Sequence, residues 1–103
     1  MKTPESYEKD DIDKFLKALG PERCWSFKPY MAGYGKSGVP DYCLCLGGAF
    51  WGVEVKRPGK EPTTIQKRRM DEIMCAGGHA VAGTAEVVIQ ALRDWLYTRG
   101  ISV

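Results

Sequence analysis

Apolar residues follow two periodicities along this chain. Between residues 5 and 19, Ile12, Phe15, Leu16 and Leu19 recur at helical spacing, with Thr3-Pro4 as a start signal and Gly20-Pro21 as a stop. The pattern then shortens. Trp25 to Tyr30 alternates aromatic and polar side chains and predicts a first strand with Pro29 near its end. Asp41–Leu46 and Ala49–Lys56 predict two further strands, joined by Gly47-Gly48, a two-residue turn of the type that takes positive φ. Helical spacing returns from Thr63 to Ala76 and stops at Gly77-Gly78, with Gln66, Met70, Ile73 and Met74 on a face expected to be buried. His79–Gly83 suits a strand parallel to the second strand of the hairpin, reached by a helix crossover. Thr84 can cap a last helix whose inward face is Val88, Ala91, Leu92, Trp95 and Leu96 before Gly100 ends it. The order α β β β α β α predicts an α/β fold, a mixed central sheet flanked by helices. With no repeat, linker or low-complexity segment, residues 1–103 are expected to form one domain with a modest core.

The hairpin fixes a register. If Leu46 faces Ala49 across the turn, then Cys45 faces Phe50, Cys43 faces Gly52, and Asp41 faces Glu54. Two carboxylates directly across a strand pair repel one another, so a cation is expected between them. Lys56 emerges on the same face as Glu54, while Val53 and Val55 point to the other. The run Phe50–Lys56 reads as a buried central strand, where acids are costly unless paired or metal-bound. Two acids and a lysine on one patch suit a divalent ion with oxygen ligands. A solvated strand face carrying an ordinary ion pair of Glu54 and Lys56 is the plainer reading of the same residues. Extending the apolar face of the first helix backwards reaches Glu8 and then Glu5, either of which can point inward, or simply favour the positive end of the helix dipole.

Charge adds local rather than global information. Fifteen Lys and Arg against 13 Asp and Glu give a net charge of +2, which neither demands nor excludes nucleic acid. However, Lys56-Arg57, Lys60 and Lys67-Arg68-Arg69 cluster beside the acids and form a candidate phosphate-contact stripe. In the segment Met31–Gly38, Gly33, Gly35 and Gly38 allow close backbone approach, so Tyr34 and Lys36 can touch a sugar-phosphate chain. Thr63 and Gln66 have capping-box spacing, yet Gln66 also lies at the sheet-facing end of its helix. Cys24, Cys43, Cys45 and Cys75 form no CxxC pair, so zinc is not expected, and His79, the only histidine, reads as structural. No apolar run approaches the roughly 20 residues of a membrane span, and no signal-peptide h-region follows Met1. A cytoplasmic protein with reduced thiols, neither secreted nor membrane-bound, is the expectation.

Pro40-Asp41, Glu54-x-Lys56 and a helix opening with Gln66 look like the PD-(D/E)XK nuclease motif set. The fuller strings Lys36-Ser-Gly-Val-Pro-Asp41, Gly52-Val-Glu-Val-Lys-Arg-Pro-Gly59 and Pro62-Thr-Thr-Ile-Gln66 resemble the VRR-NUC (virus-type replication-repair nuclease) domain. The likeness is to its stand-alone type from phage and bacteria. This resemblance implies a restriction-endonuclease-like fold and a Mg²⁺- or Mn²⁺-dependent endonuclease hydrolysing DNA phosphodiesters. By the same resemblance Asp41, Glu54, the Val55 carbonyl and an acid at Glu5 or Glu8 hold the metal, Lys56 orients water or stabilises the phosphate, and Gln66 stands beside Lys56. Tyr34, Lys36, Ser37, Arg57, Lys60, Lys67, Arg68 and Arg69 are then the residues expected to grip DNA. Compact members of the family look like homodimeric resolvases of four-way (Holliday) junctions, which implies a homodimer on branched DNA, in repair. Trp25, Trp51, Trp95, Tyr30, Tyr42, Phe27 and Phe50 are more than one thin sheet covers, so some are expected in a subunit contact. The alternatives are a non-catalytic DNA-binding module on a nuclease fold, a nuclease for flapped or linear DNA, and an assembly protein whose charges form only surface pairs.

Overall fold

In the computed structural model, which describes residues 2–30 and 35–103, the first helix is α1 (Pro4–Leu19). Thr3 caps it by accepting the Ser6 N–H, and Pro4 occupies the first turn, where no N–H is needed. Then come β1 (Cys24–Phe27), β2 (Tyr42–Leu46), β3 (Ala49–Val55), α2 (Thr64–Cys75), β4 (His79–Gly83) and α3 (Ala85–Thr98), the order read from the sequence. The strands lie side by side as β1-β2-β3-β4, with the first two pairings antiparallel and β4 parallel to β3 after the α2 crossover.

Register follows the turn. Gly47 and Gly48 adopt φ of 53° and 86°, and Leu46 pairs with Ala49, Cys45 with Phe50 and Cys43 with Gly52. Asp41 lies one residue ahead of β2, and β3 ends at Val55. The first strand is shorter than the alternation of Trp25–Tyr30 suggests. It ends at Phe27, and Pro29, which has no N–H for a ladder, lies beyond it.

The two faces of the sheet have different fates. Tyr42, Leu44, Leu46, Trp51, Val53 and Val55 join Ile12, Leu16 and Leu19 of α1 and Val88, Leu92 and Leu96 of α3 in a single core. Burying such side chains stabilises the fold by about 1.5–3 kcal/mol each. On the opposite face α2 packs against β4 and β3. It comes close because Gly52 has no side chain: a Cβ there would sit 2.8 Å from Ile73 Cδ1 and 2.8 Å from Pro40 Cγ. The face of α2 expected to be buried is only half so, with Met74 47% exposed and no residue of the helix fully buried, because this helix covers only part of the sheet. Beyond it Trp25, Phe27 and Phe50 stay exposed, whereas Tyr42 and Trp51 belong to the core. His79 stacks on Trp51 at 4.8 Å and tilts against Trp95 at 5.4 Å, a packing role for the only histidine.

Candidate active site

The end of the central hairpin gathers charges from three elements, α1, the start of β2 and the end of β3. Asp41, just before β2, accepts the Val55 N–H on Oδ2 at 2.7 Å, which ties the two strands beyond their last pairing. Its Oδ1 faces the Lys9 ammonium of α1 at 3.5 Å. Glu54 points from β3 into the space beneath α2 and is only 3% exposed. Its Oε1 accepts the Gln66 side-chain N–H at 2.9 Å and lies 3.8 Å from Lys56 Nζ. Lys56 is itself buried, its backbone N–H held by the Gly83 carbonyl at 2.8 Å, and its Nζ lies 3.8 Å from Glu5 Oε1. Alternation along β3, register across the hairpin and the first turn of α1 thus bring Asp41, Glu54, Lys56 and Glu5 together.

Burial and the nearby Asp41 carboxylate push the Glu54 carboxyl up to about 8, against the partial opposition of Lys56. A carboxyl that burial and a like neighbour keep protonated is one that a divalent cation can claim. Asp41 and Glu54 offer hard oxygen donors, and Glu5 is the nearest further acid, turned toward Lys56. Among the described residues no group of three or more His, Cys, Asp or Glu side chains is arranged to hold a metal ion. Two carboxylates fit Mg²⁺ or Mn²⁺, which keep several waters and take few protein ligands, and do not make a closed zinc cage.

The other candidate residues separate. Glu8 turns from this patch and accepts the Ala85 N–H at 3.0 Å, at the start of α3. Gln66 closes the capping box with Thr63, accepting its N–H at 2.8 Å, while its amide donates to Glu54 rather than standing on Lys56. Arg57, Lys60, Lys67 and Arg68 are exposed. Arg69 does not join them: its Nε donates to the Ser37 carbonyl at 2.8 Å and its Nη1 to both oxygens of Glu72. That contact holds the Glu72 carboxyl below its usual range. Lys36 reaches the same Glu72 at 3.6 Å from an exposed position, and Tyr34 falls outside the described residues.

Three residues near the patch escape a reading of the sequence. Tyr42 donates its buried hydroxyl to Asp13 Oδ1 at 2.7 Å and lies 3.2 Å from the Lys9 carbonyl, which pins α1 beside Asp41. Burial and Asp13 push that phenol far above its ordinary range. Lys9 and Asp13 follow Glu5 at four-residue steps, one stripe of α1, and that spacing is the only signal the sequence holds for them.

A four-stranded mixed sheet flanked by helices, with an acid and a Glu-x-Lys strand at one end of its central hairpin, is consistent with a PD-(D/E)XK-like fold. Among solved structures, the chain is similar to a VRR_NUC domain with a TM-score of 0.72 and 25% identity, over 88% of this chain and 95% of that one. A VRR_NUC domain protein aligns with a TM-score of 0.69 over 94% of this chain and 92% of its own, at 16% identity, a likeness of fold alone. No family model and no curated protein matches the chain. The chain is VRR_NUC-like, in fold and over nearly its whole length.

Proposed function

We propose that this chain is a VRR_NUC-family nuclease, a single domain that hydrolyses DNA phosphodiesters with the help of Mg²⁺ or Mn²⁺. The observation that supports this reading is the meeting of Asp41, Glu54 and Lys56, with Glu5, on one end of a central hairpin. Asp41 and Glu54, with the Val55 carbonyl, would hold the ion, and Glu5, paired with Lys56, is the nearest further acid. Such an ion, when bound, turns water into a nucleophile at neutral pH and offsets charge on the phosphate. Lys56 keeps a buried positive charge beside the acids, placed to stabilise charge that builds on the phosphate oxygens in the transition state. Gln66 orients Glu54. Arg57, Lys60, Lys67 and Arg68, with Lys36, grip the backbone without reading bases.

The open sheet face at Trp25, Phe27 and Phe50 favours a homodimer, whose two-fold axis would present two equivalent sites to a branched DNA such as a four-way junction. Four-way, flapped and linear DNAs incubated with and without Mg²⁺ or Mn²⁺ test the reading. Metal-dependent paired nicks in the junction, abolished in Asp41→Asn, are expected. Binding without cleavage under every metal condition would overturn it in favour of a non-catalytic DNA-binding module, and equal cutting of linear DNA would remove the junction preference. Light scattering at micromolar concentration, with and without junction, reads the dimer, and a monomer in both conditions would defeat it.

A further inference from the structure

Lys9 is a cation to which the nuclease chemistry assigns no part. Its ammonium lies 3.5 Å from Asp41 Oδ1, on an arm that is about a third exposed, whereas Lys56 is buried between Glu54 and Glu5. The two lysines therefore divide the acids: Lys56 compensates Glu54 and Glu5 from within, and Lys9 compensates Asp41 from the mouth.

Its position is built, not incidental. Lys9 follows Glu5 by one helical turn, so both project from the same side of α1. The backbone at Lys9 is pinned where the arm starts, because the Tyr42 hydroxyl lies 3.2 Å from the Lys9 carbonyl while donating at 2.7 Å to Asp13. Tyr42 directly follows Asp41, so the contact that fixes the root of Lys9 also fixes the strand that carries its partner. Lys28, just after β1, binds the second oxygen of Asp13 at 3.1 Å, and among the described residues Lys9 is the ammonium within ion-pair distance of Asp41.

We propose that Lys9 is an exchangeable cation of the site: it neutralises Asp41 in the metal-free protein, and yields that place to a divalent ion while keeping its own charge at the mouth for a phosphate of the substrate. This rests on the nuclease reading of the same acids. The physics sets the two halves against each other. Breaking the Lys9–Asp41 pair opposes metal binding, and the ammonium then lies beside a second cation, so its presence weakens the ion. Once DNA enters, the same ammonium is a compact point charge with three donors next to the acids, and it favours the phosphate. A residue that only stabilises the fold would move both quantities in the same direction or neither.

The experiment compares Lys9→Gln and Lys9→Arg with the unaltered protein, all three shown to melt within a few degrees of one another. Mn²⁺ binding is measured by calorimetry without DNA, and single-turnover cleavage of a four-way junction at saturating Mn²⁺. Lys9→Gln should bind Mn²⁺ about fivefold more tightly, the size of a partly exposed ion pair removed, and yet cleave about tenfold more slowly or worse. Lys9→Arg, which keeps the charge, should stay near the unaltered protein in both. Unchanged or weaker Mn²⁺ binding in Lys9→Gln, or unchanged cleavage at saturating metal, would overturn the proposal. Asp41→Asn in the same calorimeter separates the two levels: Mn²⁺ binding that survives there defeats the underlying nuclease site, whereas its disappearance there with no effect of Lys9→Gln defeats the role of Lys9 alone.

Discussion

Glu54→Gln should make the metal-free protein more stable at alkaline pH and remove a pH dependence that the unaltered protein has. In the folded chain the Glu54 carboxyl is raised to about 8 from an ordinary 4.5, by burial first and by Asp41 next. The folded state therefore holds a proton that the unfolded state has released across that window, so stability is full below about 4.5 and falls as pH rises toward 8. At about 1.36 kcal/mol per unit the raised carboxyl corresponds to a loss on the order of 3 to 5 kcal/mol once fully ionised, an upper figure because Lys56 and Asp41 share the charge. Glutamine keeps the shape, still accepts from Gln66, and has no proton to lose. Urea unfolding in EDTA at about pH 5.5 and about pH 8.5, on either side of the raised carboxyl, measures the effect in both proteins, and groups common to both cancel in the difference. The unaltered protein should lose several kcal/mol more than Glu54→Gln between those values, and Mn²⁺ should raise its stability at the alkaline end while leaving that of the variant unchanged. Parallel pH profiles for the two proteins in EDTA would refute a buried acid repelled by Asp41.

Lys56→Ala should slow single-turnover cleavage by about a hundredfold or more while junction affinity changes by less than about threefold, if its charge acts chiefly in the transition state; a defect confined to affinity would make it a phosphate grip instead. Gly52→Ala, whose new methyl carbon would meet Pro40 and Ile73 at 2.8 Å, should cost about 1–3 kcal/mol in thermal melting, and an unchanged melting curve would show that α2 relaxes freely from the sheet. Arg69→Ala should lower the melting temperature, because it removes the hydrogen bond to the Ser37 carbonyl that ties α2 to the segment leading into Asp41. Lys67→Ala and Arg68→Ala should leave melting untouched, and each should lower the salt dependence of DNA binding by about one unit for the phosphate it no longer neutralises. A melting change in those two, or a pure affinity change in Arg69→Ala, would reverse these roles.

The strands are legible in the sequence because their rules are local. Gly47-Gly48 sets the turn, one buried face sets the register, and those two constraints place Asp41, Glu54 and Lys56 near one another with no further information. The first helix is legible as a helix but not as a source of site residues. Extending its apolar stripe admits both Glu5 and Glu8, and the contact that separates them is made with Ala85, 77 residues away. Long cations mislead in the same manner. Arg69 reads as one of a basic run, yet it is turned inward by a carbonyl 32 residues distant, and Lys9 reads as an ordinary surface lysine until Asp41 is seen beside it. The depth of α2 lies beyond a periodicity argument as well, since amphipathic spacing says which side of a helix faces the sheet and not how much sheet lies under it.

What the geometry adds is an asymmetry between fixed and loose partners. One oxygen of each central carboxyl is held at hydrogen-bond length by a neutral donor, Asp41 by the Val55 N–H at 2.7 Å and Glu54 by the Gln66 amide at 2.9 Å. The ammonium groups come no nearer than 3.5 Å and 3.8 Å, beyond the range of a well-formed N–H···O bond. Neutral donors thus set the direction of the acids, and cations supply charge without closing on them. Preorganised oxygens with loosely held counter-charges are what an exchangeable ion needs, since the donors need not reorganise when the ion arrives and only the ammonium groups must shift. The same division explains why Gln66 serves the site from a capping box: its carbonyl is locked by Thr63, so its amide can point in only a narrow range, and Glu54 lies within it.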